Sequence, residues 1–157
     1  MAQPRMLPFV FVALLAIPRP AAPQAESTAQ PMPVLENVEL MDLMIKPAYD
    51  ALRQTMAHAP TNRKGWADIY QQTARLAELE NLLFFRTRAG ESRRTEWASA
   101  AGRARDASAR LASAAVLGLR SAQPADFDRM RAAFPAISEG CTACHRAFAR
   151  EAPVIKP

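Results

Sequence analysis

Strand periodicity is missing from this chain. No segment of its 157 residues alternates apolar and polar side chains, which excludes sheet architectures and the βαβ unit. Also missing is any dense tract of Lys and Arg. The formal net charge of +5 is therefore a weak argument for nucleic acid, which calls for a basic stripe or patch, and no nucleic-acid partner is expected. The longest apolar run, Leu7 to Ile17, has 11 residues, interrupted by Pro8, and is too short to span a hydrocarbon core of roughly 30 Å as a helix. Cysteine and histidine are scarce, with two of each. Apolar content is not: at 50% it is ample for one core, so global disorder is excluded.

Both cysteines and one of the two histidines fall in a single pentapeptide, Cys141-Thr142-Ala143-Cys144-His145. That spacing matches a c-type haem attachment site. Two thiols three positions apart can each add across one vinyl group of the haem edge, and the next residue offers an imidazole to the iron. Three other readings stay open. A thioredoxin-like dithiol belongs beside a βαβ pattern, which is absent. A structural zinc site needs four ligands, and only His58 and His145 remain to complete one. A Cys141–Cys144 disulfide suits an exported protein.

The N-terminus has the form of a secretory signal peptide, residues 1–25: Arg5 in a short basic region, the apolar run, then the small residues Ala21, Ala22 and Ala25. Cleavage after Ala25 or Ala29 fits, and an uncleaved leader acting as a tether is the alternative. No stable membrane insertion is expected once the leader is removed. Because the leader carries Arg5, Arg19 and no acid, the mature chain holds 18 basic against 15 acidic side chains. Seven of the thirteen prolines lie in residues 1–33, so residues 26–33 read as a flexible lead-in. A domain over residues 34–152 follows, then a tail over 153–157.

Four helical segments are predicted in that domain. The first, about Leu35 to Met56, places Val38, Met41, Ile45, Ala48 and Leu52 on one face, with Pro47 expected to kink it. The second starts at a Thr61 or Asn62 cap and runs to about Arg88. Its stripe is Trp66, Ile69, Tyr70, Thr73, Leu76, Leu83 and Phe84, and Gly90 ends it. Glu80 lies on or near that stripe, free to bond a backbone donor or a propionate or to reach solvent. The third, about Ser92 to Leu119, has a face of mostly small residues, with Gly118 marking a frayed end. The fourth starts near Pro124, is kinked at Pro135, and aligns Phe127, Met130, Phe134, Ile137, Cys141, Cys144 and Phe148. Gly140 is expected to clear space for a porphyrin edge. Four such helices with short connections favour an all-α, antiparallel up-down-up-down four-helix bundle, with the haem on the last helix.

With its motif in the last helix, the chain resembles the class II c-type cytochromes, the cytochrome c-prime group. The segment Glu39-Leu40-Met41-Asp42-Leu43-Met44-Ile45-Lys46-Pro47 looks like the Leu-Met-containing first helix of that family's low-spin branch. Trp66, Leu79-Glu80-Asn81-Leu82-Leu83 and Trp97 resemble its middle. The likeness spans about residues 34–150. It implies one covalent haem c on Cys141 and Cys144, with His145 as proximal iron ligand and Met41 as distal ligand. Met44, on a similar face, is the alternative to Met41; His58, in a Pro-flanked loop, is the remote one.

The resemblance implies a periplasmic monohaem electron carrier, not an enzyme, meeting redox partner proteins through the haem edge. Covalent attachment in that group takes place outside the cytoplasm, which agrees with the leader. The alternative is a five-coordinate haem protein that binds nitric oxide or carbon monoxide in a distal pocket of Leu40, Leu43 and Met44. Arg53 or Arg86 are candidates to pair with the propionates, and Arg146 and Arg150 to dock a partner. Dimerisation through the first two helices is common in that family, so a homodimer is a further possible partner.

Overall fold

The computed structural model describes residues 32–86 and 93–157, so the expected signal peptide, most of the lead-in and Gly90 lie outside the described residues. Those residues contain helices and no strand, and they pack as a helical bundle of four segments. The first segment comprises α1 (Asn37–Leu40), a π turn (Met41–Ile45) and α2 (Lys46–Thr55). The second is α3 (Arg63–Asn81), closed by a 3-10 turn (Leu82–Phe85). The third is α4 (Arg94–Ser121). The fourth is divided into α5 (Pro124–Ala133) and α6 (Pro135–Phe148).

Pro47 acts on the first segment differently from the expected kink. Its ring lacks a donor and would strike the carbonyl one turn back. The helix widens into the π turn just before it, with Lys46 N–H donating to Met41 O, five residues back. This shifts the register of everything N-terminal to Pro47. Leu40 and Ile45, five apart, become the buried pair, while Val38 and Leu43 turn out to solvent at 71% and 62% exposure. The apolar stripe therefore runs through Leu40, not Val38, and Leu43 lines no distal pocket.

Asn62 caps α3, its side chain accepting from Gly65 N–H at 2.9 Å. Four residues on, Trp66 packs its ring over Gly118 of α4. A Cβ at Gly118 would come within 2.1 Å of that indole, so this glycine seats the tryptophan and is buried, and it is not a frayed end. Gly140 of α6 has a matching role: a Cβ there would stand 3.1 Å from the Ala104 backbone. It lets α6 approach α4, a different role from the expected clearing of space for a porphyrin edge. The small face of α4 thus lets α3 and α6 each pack closely against it. Its C-terminus turns at Ala122, whose φ of 51° is left-handed, and Asp126 then accepts from Ser121 and pairs with Arg129.

Pro135 divides the fourth segment as expected, since α5 stops at the residue before Phe134. The core gathers Leu40, Leu52, Ile69, Leu76, Leu111, Met130 and Ile137, all at most 1% exposed. Burial of each contributes roughly 1.5–3 kcal/mol. Tyr70, assigned to the α3 stripe, is 39% exposed; Leu79 and Glu80 are buried there in its place.

Candidate functional site

α6 carries the motif. Cys141 and Cys144 lie three residues apart, nearly one helical turn, so their side chains leave the same face of α6, toward the core. Both thiols are unpaired, with no disulfide between them. Burial pushes the Cys141 thiol up to about 12, with the nearby Glu80 and Cys144 adding to the rise. Burial also raises Cys144, against a smaller lowering by Arg103. A redox dithiol depends on a depressed thiol pKa, commonly near a helix N-terminus or a cation. These thiols sit toward the C-terminal end of α6 and are shifted the opposite way, which runs against the thioredoxin-like reading. For zinc, no group of three or more His, Cys, Asp or Glu side chains converges among the described residues.

His145 is half-buried, and its Nδ1 stands 3.3 Å from the carbonyl oxygen of Pro153. That oxygen can only accept, so the contact favours the tautomer with its proton on Nδ1. Nε2 is left as the lone-pair nitrogen, the one an iron would take. The carbonyl comes from the C-terminal tail, which folds back over α6. Ile155 N–H donates to Thr142 Oγ1 at 3.1 Å, and Tyr49 of α2 donates its hydroxyl to Lys156 O at 2.6 Å. The Tyr49 ring also stacks on Phe134 at 5.7 Å between centroids. Burial raises the Tyr49 phenol as well.

Met41 and Met44 are each half-buried on the π turn and pack against the same core cluster as Cys141 and Phe148. The first segment packs on α3, and α6 packs on α4. Between α2 and α6 the contact is made by long side chains and the tail, with no backbone packing as extensive as that of α4 with α6. His58 is exposed in its loop, away from this core. Of the propionate candidates, Arg86 is spent on the first segment: its guanidinium donates to Leu35 O while its own carbonyl accepts from Asn37. Arg53, Arg146 and Arg150 are exposed.

At the far end of α6, Arg93 closes the helix. It donates to Ala147 O at 2.9 Å and lies 4.4 Å over the Phe148 ring, which meets Trp97 edge-on. Trp97 in turn donates Nε1–H to Leu83 O at 2.6 Å. Local sequence gave no sign of this cluster or of the tail's fold-back, because each joins residues far apart in the chain.

The chemistry of the donor set fits a c-type haem: two free thiols on one inward helical face, an imidazole with one nitrogen engaged, and two thioethers packed against the same core. No helix among the described residues is long and apolar enough to cross a membrane. Compared with known proteins, the chain matches no family model, no curated protein and no solved structure, so the functional reading rests on its own residues.

Proposed function

We propose that the chain is an exported, periplasmic monohaem c-type cytochrome that carries single electrons, with one haem c joined covalently to Cys141 and Cys144. The observation that carries this reading is the pairing of two unpaired thiols on one face of α6 with an imidazole whose Nδ1 is turned to Pro153 O. We read the four segments as an up-down-up-down bundle. The bound haem would supply a one-electron couple between ferric and ferrous iron. His145 Nε2 would be the proximal ligand, and Met41 the distal one, with Met44 the alternative on the same π turn. The work of the protein is then to hold the imidazole in one tautomer, exclude water with the core around Leu40 and Ile137, and leave one haem edge for a redox partner. A soft, neutral thioether opposite His145 would favour the reduced state, and no substrate bond is made or broken.

The test is the optical spectrum of the purified exported protein, oxidised and reduced, with and without carbon monoxide. A covalently held haem whose sharp low-spin ferrous spectrum ignores carbon monoxide supports the carrier. A high-spin spectrum that shifts with the gas replaces it with the five-coordinate, gas-binding alternative. Absence of covalent haem sinks both.

A further inference from the structure

The electron-carrier reading makes no use of Glu80. This residue of α3 points into the core at 1% exposure, and neither carboxyl oxygen has a protein hydrogen-bond partner. Facing it from α4 is Ser108, 0% exposed, whose hydroxyl is likewise unpartnered. From α6, Cys141 lies near enough that a Glu80 carboxylate raises the cost of ionising its thiol. An ionisable side chain at a fully buried helix position costs stability, since Leu or Met would pack there without desolvating charge. Its position beside the attachment residue suggests a use for that cost.

We propose that Glu80 is a buried proton-binding site coupled to the redox state of the group carried on Cys141, taking up one proton from solvent when that group gains one electron. The inference rests on the haem reading. The electron comes from a one-electron donor protein and the proton from water. The Glu80 carboxylate becomes a carboxylic acid, and no other bond changes. Adding one negative charge to a low-dielectric core disfavours a second negative charge nearby, so reduction favours protonation and protonation favours reduction.

The groups around Glu80 suit this role. Burial pushes it up to about 7, against smaller lowerings by Ser108 and then by Arg105, so its charge changes near neutrality. Ser108 Oγ stands toward the carboxyl without meeting hydrogen-bond geometry. The ionisable groups facing it are Arg105 of α4 and, in the haem-free chain, the Cys141 thiol of α6, which as a thioether no longer titrates. From α2 the ionisable side chain on this side of the core is Tyr49, which interacts with Cys141. Among the described residues, no charged side chain of α2 or the π turn acts on it.

The experiment measures the midpoint potential of the haem-loaded protein from about pH 5 to about pH 9, for wild type and Glu80→Gln. It is paired with the ferric-minus-ferrous infrared difference spectrum. In wild type the potential should fall as pH rises through neutrality, and reduction should produce a protonated-carboxyl band. Glu80→Gln should lose that band and flatten the neutral part of the pH dependence, leaving only what the propionates contribute. A pH-independent wild-type potential, or a dependence and band unchanged in Glu80→Gln, overturns the coupling while leaving the carrier intact. A purified protein without covalent haem overturns the carrier reading and the coupling with it, and absorbance tells the two failures apart. Should Glu80→Gln not fold, Ser108→Ala serves: losing the hydroxyl should move the midpoint of the pH dependence upward, and an unmoved midpoint counts against the proposal.

Discussion

The imidazole of His145 turns its Nδ1 to the carbonyl of Pro153, 3.3 Å away, and thereby ties the motif on α6 to the last five residues of the chain. Because a carbonyl accepts and never donates, the contact selects one tautomer without any charged partner. A carboxylate in that position would push electron density onto the ring. A backbone carbonyl does so more weakly, so an imidazole that took up iron here would be a ligand of ordinary donor strength.

Covalent attachment is the most direct claim to check. Replacing both thiols, Cys141→Ser with Cys144→Ser, should leave no haem on the chain after acid–acetone extraction. Either single change should leave one thioether and a shifted ferrous absorption band. Haem retained by the double variant would refute the attachment.

Distal ligation divides the two methionines. Met41→Ala should convert a six-coordinate low-spin haem into a high-spin form that binds carbon monoxide, whereas Met44→Ala should leave the spectrum unchanged. The sulfur-to-iron band at the red end of the ferric spectrum is the reporter. Its survival in Met41→Ala and loss in Met44→Ala would reverse the assignment. The π turn makes that reversal physically accessible, since it shifts the facing of Met41 relative to Met44.

How much of this was legible in the sequence depends on how local the cause is. Helical period, the Asn62 cap and the break at Pro135 are properties of a few adjacent residues, and the structure matches those elements; the Cys-x-x-Cys-His spacing is equally local. Val38 was misassigned because the stripe assumes 3.6 residues per turn, and the π turn before Pro47 breaks that assumption. Gly118 and Gly140 are not legible locally for another reason. Each is small because of a residue on another helix, Trp66 or Ala104, that no local pattern reveals. The burial of Glu80 and the tail's bonds to Thr142 and Tyr49 are tertiary in the same sense. The attached group itself is inferred from the chemistry of its donors alone.

Gly118→Ala should be among the most damaging single methyl additions in the domain. The new Cβ would overlap the Trp66 ring at 2.1 Å, and that ring is wedged edge-on against Phe127 at 6.5 Å, so it has little room to retreat. Overpacking of this kind costs about 1–3 kcal/mol, more than the roughly 1 kcal/mol that alanine gains over glycine within a helix. Urea denaturation should show a lower midpoint with a shift in Trp fluorescence. A stabilised variant would mean that α3 and α4 are not this close.

Glu80 should also make stability depend on pH. An acid whose pKa rises from 4.5 to about 7 on folding binds more protons in the folded chain than in the unfolded one across that interval. Stability from this group is therefore fully present below about pH 4.5, falls as pH rises to about 7, and is flat above. Its magnitude is about 3 kcal/mol at roughly 1.4 kcal/mol per unit. The quantity to measure is the difference in unfolding free energy between wild type and Glu80→Gln at several pH values, which cancels the other carboxylates. A difference that does not change between pH 4.5 and 7 would show that Glu80 is solvated.

The tail should matter to the haem more than to the fold. Deleting residues 153–157 removes the Pro153 carbonyl from His145, two bonds with Thr142 and the acceptor for Tyr49. Each lost neutral bond is worth about 1 kcal/mol, and water can replace the partners at this partly exposed edge, so the bundle should stay folded with a modestly lower midpoint. The imidazole, no longer held through Nδ1, should rotate more freely. In the haem-loaded protein that predicts a broadened iron–histidine stretching band in the five-coordinate ferrous Met41→Ala background, together with a changed reduction potential. Tyr49→Phe removes only one anchor of the tail and keeps the ring on Phe134, so it should show the same changes in weaker form. If truncation lowers stability yet leaves the iron–histidine band and the potential untouched, the tail is a structural strap alone, and His145 takes its orientation from α6.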